Sequence, residues 1–134
     1  MTHRSQVRVY YKDTDAGGVV YYTRYPEFME IGRTELFRHL GLTAARLADE
    51  FGILCPVVEL FVKYRRSARY DDLLTIETTI TQMTGVRIFF SNRILDETGG
   101  LLAEGSTVNC CVDAKEMRPV KLPARRSDTA FTPS

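Results

Sequence analysis

Two aspartates and two glycines crowd into one short stretch, Asp13-Thr14-Asp15-Ala16-Gly17-Gly18, which opens onto Val19-Val20-Tyr21-Tyr22. A carboxylate can attack an acyl carbon or draw a proton from water, and glycines let a ligand come close to the backbone. Just downstream, Thr23 stands as an N-cap before a helical pattern, with Pro26 tolerated in the first turn. The unsatisfied amides of that helix start, near Tyr22 to Tyr25, then face the same space as the acids. A carboxylate beside an oxyanion site has the parts needed to hydrolyse an acyl group. The same composition also suits a plain turn, in which Asp13 and Asp15 form Asx-turns and the glycines take positive φ. Composition leaves both readings open.

Other catalytic equipment is sparse. His3 sits in an N-terminal segment expected to be mobile, and His39 ends the helix, where an imidazolium suits the negative dipole end. The chain carries no GxSxG elbow, P-loop, GxGxxG after a strand, HExxH or Cys/His cluster, so no metal or organic cofactor is implied. Cys55, Cys110 and Cys111 make no CxxC spacing, and neighbouring Cys110 and Cys111 point to opposite faces of a strand, which argues against disulfides and zinc. Glu59, on an expected strand, reads as a surface or interface acid. The 18 basic and 17 acidic residues nearly cancel, so nucleic acid is not an expected partner and any anion site must be local. The densest cationic run is Lys63-Tyr64-Arg65-Arg66-Ser67-Ala68-Arg69.

The elements that must position these residues follow from pattern. Residues 7–11 alternate as a strand, with Val7, Val9 and Tyr11 on one face. From 24 to 40, Phe28, Met29, Gly32, Leu36 and Leu40 recur at helical spacing while Glu27, Glu30, Arg33 and Arg38 point elsewhere, and Gly41 supplies the stop. A shorter helix follows Thr43 and ends before Gly52. Four strands are expected at 54–65, 74–83, 87–95 and 101–113, the last three joined by connections too short for helical crossovers and therefore forming an antiparallel meander. The 134 residues, 44% hydrophobic and 26% charged, fit one globular domain, with residues 123–134 expected as a flexible tail. The pattern is α+β, a helix laid across one face of a curved sheet, and an exposed long edge strand invites a homodimer. No apolar run is long enough for a membrane span and residues 1–6 lack a secretory signal, which makes the cytoplasm the expected compartment.

The stretch from Val7 through Asp13-Thr14-Asp15-Ala16-Gly17-Gly18 to Tyr21 closely resembles the active-site segment of the YbgC-like and 4-hydroxybenzoyl-CoA thioesterases, which have the hot-dog fold. Tyr70-Asp71-Asp72-Leu73-Leu74-Thr75-Ile76-Glu77 resembles that family's strand entry, and Val112-Asp113 with Met117-Arg118-Pro119 its final strand and exit. The resemblance implies a long central helix wrapped by an antiparallel sheet, dimers associating into tetramers, and active sites at the dimer interface. It implies that Asp15 is the catalytic carboxylate, as nucleophile or general base, and that the backbone N–H of Tyr22 polarises the thioester carbonyl. Many YbgC-like members have histidine where this chain has Tyr22, as the 4-hydroxybenzoyl-CoA enzymes do, which disfavours a His-assisted mechanism. Tyr11 matches a tyrosine of the YbgC-like site and is a possible helper. For the phosphates of coenzyme A, Lys63, Arg65, Arg66 and Arg87 are the candidates, because guanidinium and ammonium groups complement phosphate. The expected activity is hydrolysis of a short-chain or aromatic acyl-CoA to coenzyme A and a free acid. An acyl-carrier-protein thioesterase and a non-catalytic acyl-CoA-binding module are the alternatives.

Overall fold

The computed structural model describes residues 1–122. Five strands form one antiparallel sheet: β1 (Thr2–Arg8), β3 (Val57–Tyr64), β4 (Leu73–Met83), β5 (Arg87–Leu95) and β6 (Leu101–Cys110), in the order β1-β4-β5-β6-β3. The short strands β2 (Ile53–Leu54) and β7 (Val112–Asp113) pair separately. Helices α1 (Arg24–His39) and α2 (Ala44–Phe51) lie between β1 and β2 in the chain. The β4-β5-β6 meander follows the expected order, and register shifts at Ile80/Gln82 and Ile94/Leu95 mark where the sheet curves.

Strand periodicity places Leu74, Ile76, Thr78 and Ile80 of β4, with Ile88, Phe90, Asn92 and Ile94 of β5, on the buried face. Helix α1 lays Tyr25, Phe28, Met29, Gly32 and Leu36 against it. Each fully buried large aliphatic or aromatic side chain contributes about 1.5–3 kcal/mol by leaving water. At the middle of the helix the sheet offers a polar pair instead, the buried Asn92 Nδ2 donating to Thr78 Oγ1 at 2.9 Å. Gly32 crosses this point. A Cβ there would meet Thr78 Oγ1 and would lie 2.8 Å from Ile76 Cγ2, so glycine is what lets the helix come this close. The helix ends where the Gly41 and Leu42 amides reach back to the Arg38 and Phe37 carbonyls, with Gly41 at φ 78°.

Several boundaries differ from the sequence reading. The first strand runs over residues 2–8, because Thr2 to Arg8 pair with Thr79 to Leu73, and Tyr10 and Tyr11 leave the sheet. His3 is therefore in a strand, its ring stacked on His39 at 5.2 Å. The expected 54–65 strand breaks at Pro56, which has no amide for a ladder, and the 101–113 strand breaks at Cys111. Thr23 occupies the N-cap position in an α-like conformation without a side-chain cap, whereas Thr43 Oγ1 does accept the Arg46 amide at 3.1 Å. The three cysteines are free thiols. The expected tail at 123–134 lies outside the described residues.

Strand β3 is an edge of the sheet, bonded to β6 along one side, and it exposes Val57, Val58, Leu60, Phe61 and Tyr64. Among the described residues no helix is long and apolar enough to cross a membrane.

Candidate active site

The two aspartates of the Asp-Thr-Asp segment have different work. Asp13 closes a single 3₁₀ turn, Tyr11–Asp13, its Oδ2 accepting the Tyr10 amide at 2.9 Å and its carbonyl accepting the Tyr21 amide at 2.9 Å. It is buried, and Arg24, the first residue of α1, brings Nε to 3.7 Å from its Oδ1 and donates from Nη2 to the Lys12 carbonyl. Asp13 thus ties the loop to the helix start.

Asp15 sits on a small hairpin. Its amide donates to the Val19 carbonyl and its carbonyl accepts the Gly18 amide, both at 3.0 Å, while Thr14 bridges Val20. This three-residue loop closes through Gly18 at φ 79°, where a side chain would be strained. The Asp15 Oδ1 accepts the Gly17 amide at 2.8 Å, an Asx-turn, and Oδ2 has no partner among the described residues. The turn reading and the catalytic reading therefore share one side chain: one oxygen orients the carboxylate and the other is open. Asp15 is exposed on the protomer.

The hairpin leads directly into α1. The Val20 amide donates to the Ala68 carbonyl at 2.8 Å, and the buried Ala68 amide donates to the Tyr25 hydroxyl at 3.0 Å, so residues 65–72 hold both the loop and the helix start. Burial pushes the Tyr25 phenol above its ordinary pKa. The Tyr22 carbonyl accepts from the Tyr64 hydroxyl at 3.2 Å and from the Tyr25 amide at 3.3 Å. The Tyr22 amide has no acceptor among the described residues. Such a donor beside a helix N-terminus suits a developing negative charge. The Tyr21 phenol is held above its ordinary pKa first by Tyr22 beside it and, more weakly, by the Asp15 charge.

Tyr22 lines a cleft of about 190 Å³ with Val20, Tyr25, Tyr64, Arg65, Arg66 and Ser67. The cleft thus unites the helix start with two of the four phosphate candidates. Arg66 pairs with Asp96 at 2.9 Å and Arg65 with Glu104 at 3.5 Å, while Lys63 has no carboxylate within ion-pair distance among the described residues. Arg87 lies elsewhere, at the start of β5, 3.9 Å from Glu59. Tyr11 is not on a strand face as expected. It is exposed, and its ring stacks on Tyr70 at 3.9 Å, because the 3₁₀ turn carries it off the sheet.

Two features were hidden in the sequence. Tyr25, Tyr64 and Ala68 frame the site through bonds spanning about forty residues, which local pattern does not signal. Arg33, expected to point away from the apolar stripe of α1, is half-buried in a separate cavity of about 330 Å³ with Glu30, Thr34, Phe37, Cys55 and Val57. Its Nη1 is buried without a hydrogen-bond partner, and desolvation pushes its pKa down. Among the described residues no cluster of three or more His, Cys, Asp and Glu could hold a metal ion.

An antiparallel sheet curved about α1, with an acid-bearing hairpin at the helix start, defines the class of hot-dog-fold thioesterases. The thioesterase-like superfamily model matches residues 9–128. The chain is 43% identical over 120 residues to the acyl-CoA thioester hydrolase YbgC of Escherichia coli O6:H1, covering 90% of this chain and 89% of that one. It also resembles a solved probable thioesterase from Bartonella henselae, with TM-score 0.87, 35% identity, and coverage of 92% of this chain and 100% of the other. A DHNA-CoA thioesterase from Staphylococcus aureus gives TM-score 0.89 at 26% identity, over 97% of this chain and 88% of that one. The chain belongs to the thioesterase-like superfamily, alongside the YbgC acyl-CoA thioesterases, and is a thioester hydrolase.

Proposed function

We propose that the protein hydrolyses a short-chain or aromatic acyl-CoA to coenzyme A and the free acid, with Asp15 as the catalytic carboxylate. The observation that supports this reading is an open Asp15 oxygen on the hairpin that leads into α1, whose start carries the unused Tyr22 amide. In the general-base form, Asp15 takes a proton from water as its oxygen joins the acyl carbon. The Tyr22 N–H and the helix start stabilise the tetrahedral oxyanion, and collapse expels the coenzyme A thiolate, which is then protonated. In the nucleophilic form, the Asp15 carboxylate itself displaces the thiolate and the resulting anhydride is hydrolysed.

Arg65, Arg66 and Lys63 are read as the phosphate contacts, the arginines exchanging Glu104 and Asp96 for phosphate. Arg87 is the weaker assignment, being at the start of another strand beside Glu59. Tyr11, held against Tyr70, is kept only as an outer helper. The rings of Tyr21 and Tyr22, 4.8 Å apart, with Tyr64 edge-on to Tyr22, give an acyl group an aromatic neighbourhood.

The whole chain is read as one domain with α1 as its central helix. The exposed Asp15 needs a wall to exclude water, and the apolar free edge of β3 fits pairing with a second copy, so the working unit is read as a homodimer able to build a tetramer. Three free thiols suit a reducing compartment, in keeping with the cytoplasm.

A kinetic screen tests this reading. Short-chain, long-chain and hydroxybenzoyl CoA esters, and carrier-protein thioesters of the same acyl groups, are followed by thiol release. Preference for a short or aromatic CoA ester is expected. Turnover confined to long-chain or carrier-bound thioesters overturns the substrate assignment.

A further inference from the structure

We propose that Cys55 and Cys111 form a peroxide-responsive dithiol, in which Cys55 is the thiol that is oxidised and Cys111 the one that closes a reversible disulfide. The pairing rests on register. Across β2 and β7, Ile53 faces Asp113 and Leu54 faces Val112; past the end of this ladder the Cys110 amide donates to the Pro56 carbonyl, and Val57 faces Asn109 in the main sheet. The antiparallel count runs unbroken through Cys55 opposite Cys111. The Ala114 amide donates to Gly52 and the Cys110 amide to Pro56, whereas the Cys111 amide turns away to Val86, so Cys55 and Cys111 occupy a non-hydrogen-bonded position. Opposed residues there have Cα atoms about 4.5 Å apart, inside the roughly 4.4–6.8 Å range that a disulfide spans. The two sulfurs are already 3.2 Å apart, and Asn109 Nδ2 holds the Cys55 carbonyl at 2.9 Å.

The division of roles follows from access and acidity. Cys55 lines the 330 Å³ cavity, which a small oxidant can enter, and Cys111 is 1% exposed behind it. Either sulfur can donate across this contact; an S–H donated from Cys111 favours the Cys55 thiolate more than burial disfavours it, while Cys111 is pushed up. A thiolate attacks a hydroperoxide; a thiol does not. Cys110 is excluded: it alternates to the other face of the strand, buried, with Sγ against the Cys111 carbonyl. In the first step the Cys55 sulfur forms a bond to one peroxide oxygen, the O–O bond breaks, and water or an alcohol leaves. In the second the Cys111 sulfur attacks the sulfenic sulfur, its proton leaves with the departing hydroxyl as water, and the S–S bond forms. Two thiols lose two electrons and one hydroperoxide gains them. The bond would fasten the segment entering β3 to the β6–β7 junction, beside the free sheet edge.

The test treats the folded full chain with a few equivalents of hydrogen peroxide near neutral pH, removes the peroxide, unfolds the chain in denaturant with iodoacetamide to block every free thiol, and maps peptides without reduction. The expected result is a Cys55–Cys111 linked peptide within one chain, alkylation at Cys110 alone, and reversal by dithiothreitol. Cys111→Ser, whose hydroxyl can still donate to the Cys55 sulfur, is expected to trap a dimedone adduct at Cys55. Alkylation at all three cysteines after peroxide, a bond involving Cys110, a bond between chains, or a dimedone adduct absent from Cys55 overturns the proposal.

Discussion

Replacing Gly32 by alanine sets two opposed effects against each other in the helix that carries the site. Alanine in a helix interior is favoured over glycine by about 1 kcal/mol. Against that, the new methyl would lie 2.8 Å from Ile76 Cγ2 and closer still to Thr78 Oγ1. Carbon atoms in contact sit about 3.5–4.0 Å apart, so helix and sheet must separate by nearly 1 Å or the side chains must turn. Thr78 cannot turn freely, because its hydroxyl accepts from Asn92, a bond worth about 1 kcal/mol. Overpacking of this kind costs about 1–3 kcal/mol. With the lost bond added and the helix gain subtracted, the net loss is about 1–3 kcal/mol, or a fall in Tm of about 3–9 °C at roughly 3 °C per kcal/mol for a chain of this size. Calorimetric unfolding of wild type and Gly32→Ala measures it. An unchanged or raised Tm would refute the close approach of α1 to β4.

Tyr25→Phe leaves the buried Ala68 amide without its acceptor and is expected to cost about 1–3 kcal/mol; thermal unfolding checks it, and turnover should fall as well, because Ala68 also holds the hairpin through Val20. Phe61→Asp places a charge on the free edge of β3, where the proposed homodimer would pair, and is expected to shift the light-scattering mass toward the monomer, whereas an unaltered mass removes this edge from the proposal. Asp96 is held down to about 2 by Thr98, the Gly100 amide and Arg66, below its unfolded value of about 3.9. Its contribution is therefore present above about pH 4 and lost as pH falls toward 2; acid titration of stability should be shallower over that interval in Asp96→Asn, and an identical slope would remove Asp96 from the account.

How much of this was legible beforehand depended on whether the determining contacts were local. The α1 stripe, the Gly41 stop and the β4-β5-β6 meander are written in spacing and turn residues, which act over a few positions. The start of β1 was missed because Thr2 to Gln6 have little apolar pattern; they join the sheet by pairing with a β4 seventy residues away. The hairpin under Asp15 could be suspected from Gly17 and Gly18, but the division of labour between Asp13 and Asp15 could not. It depends on Arg24 and Tyr21 meeting Asp13 in three dimensions. The same holds for Arg33, which lies off the apolar stripe in the helix pattern and is covered only when α2 and residues 53–57 fold over it.

The carboxylate of Asp15 bears the central claim, and Asp15→Asn isolates it, since the amide oxygen can still accept from Gly17 and keep the turn. Single-turnover hydrolysis of the preferred acyl-CoA, with coenzyme A binding and Tm measured on the same preparation, is the direct measurement. The account predicts a rate lowered by about 10²–10⁴ with binding and Tm unchanged. A rate within a few-fold of wild type would contradict it.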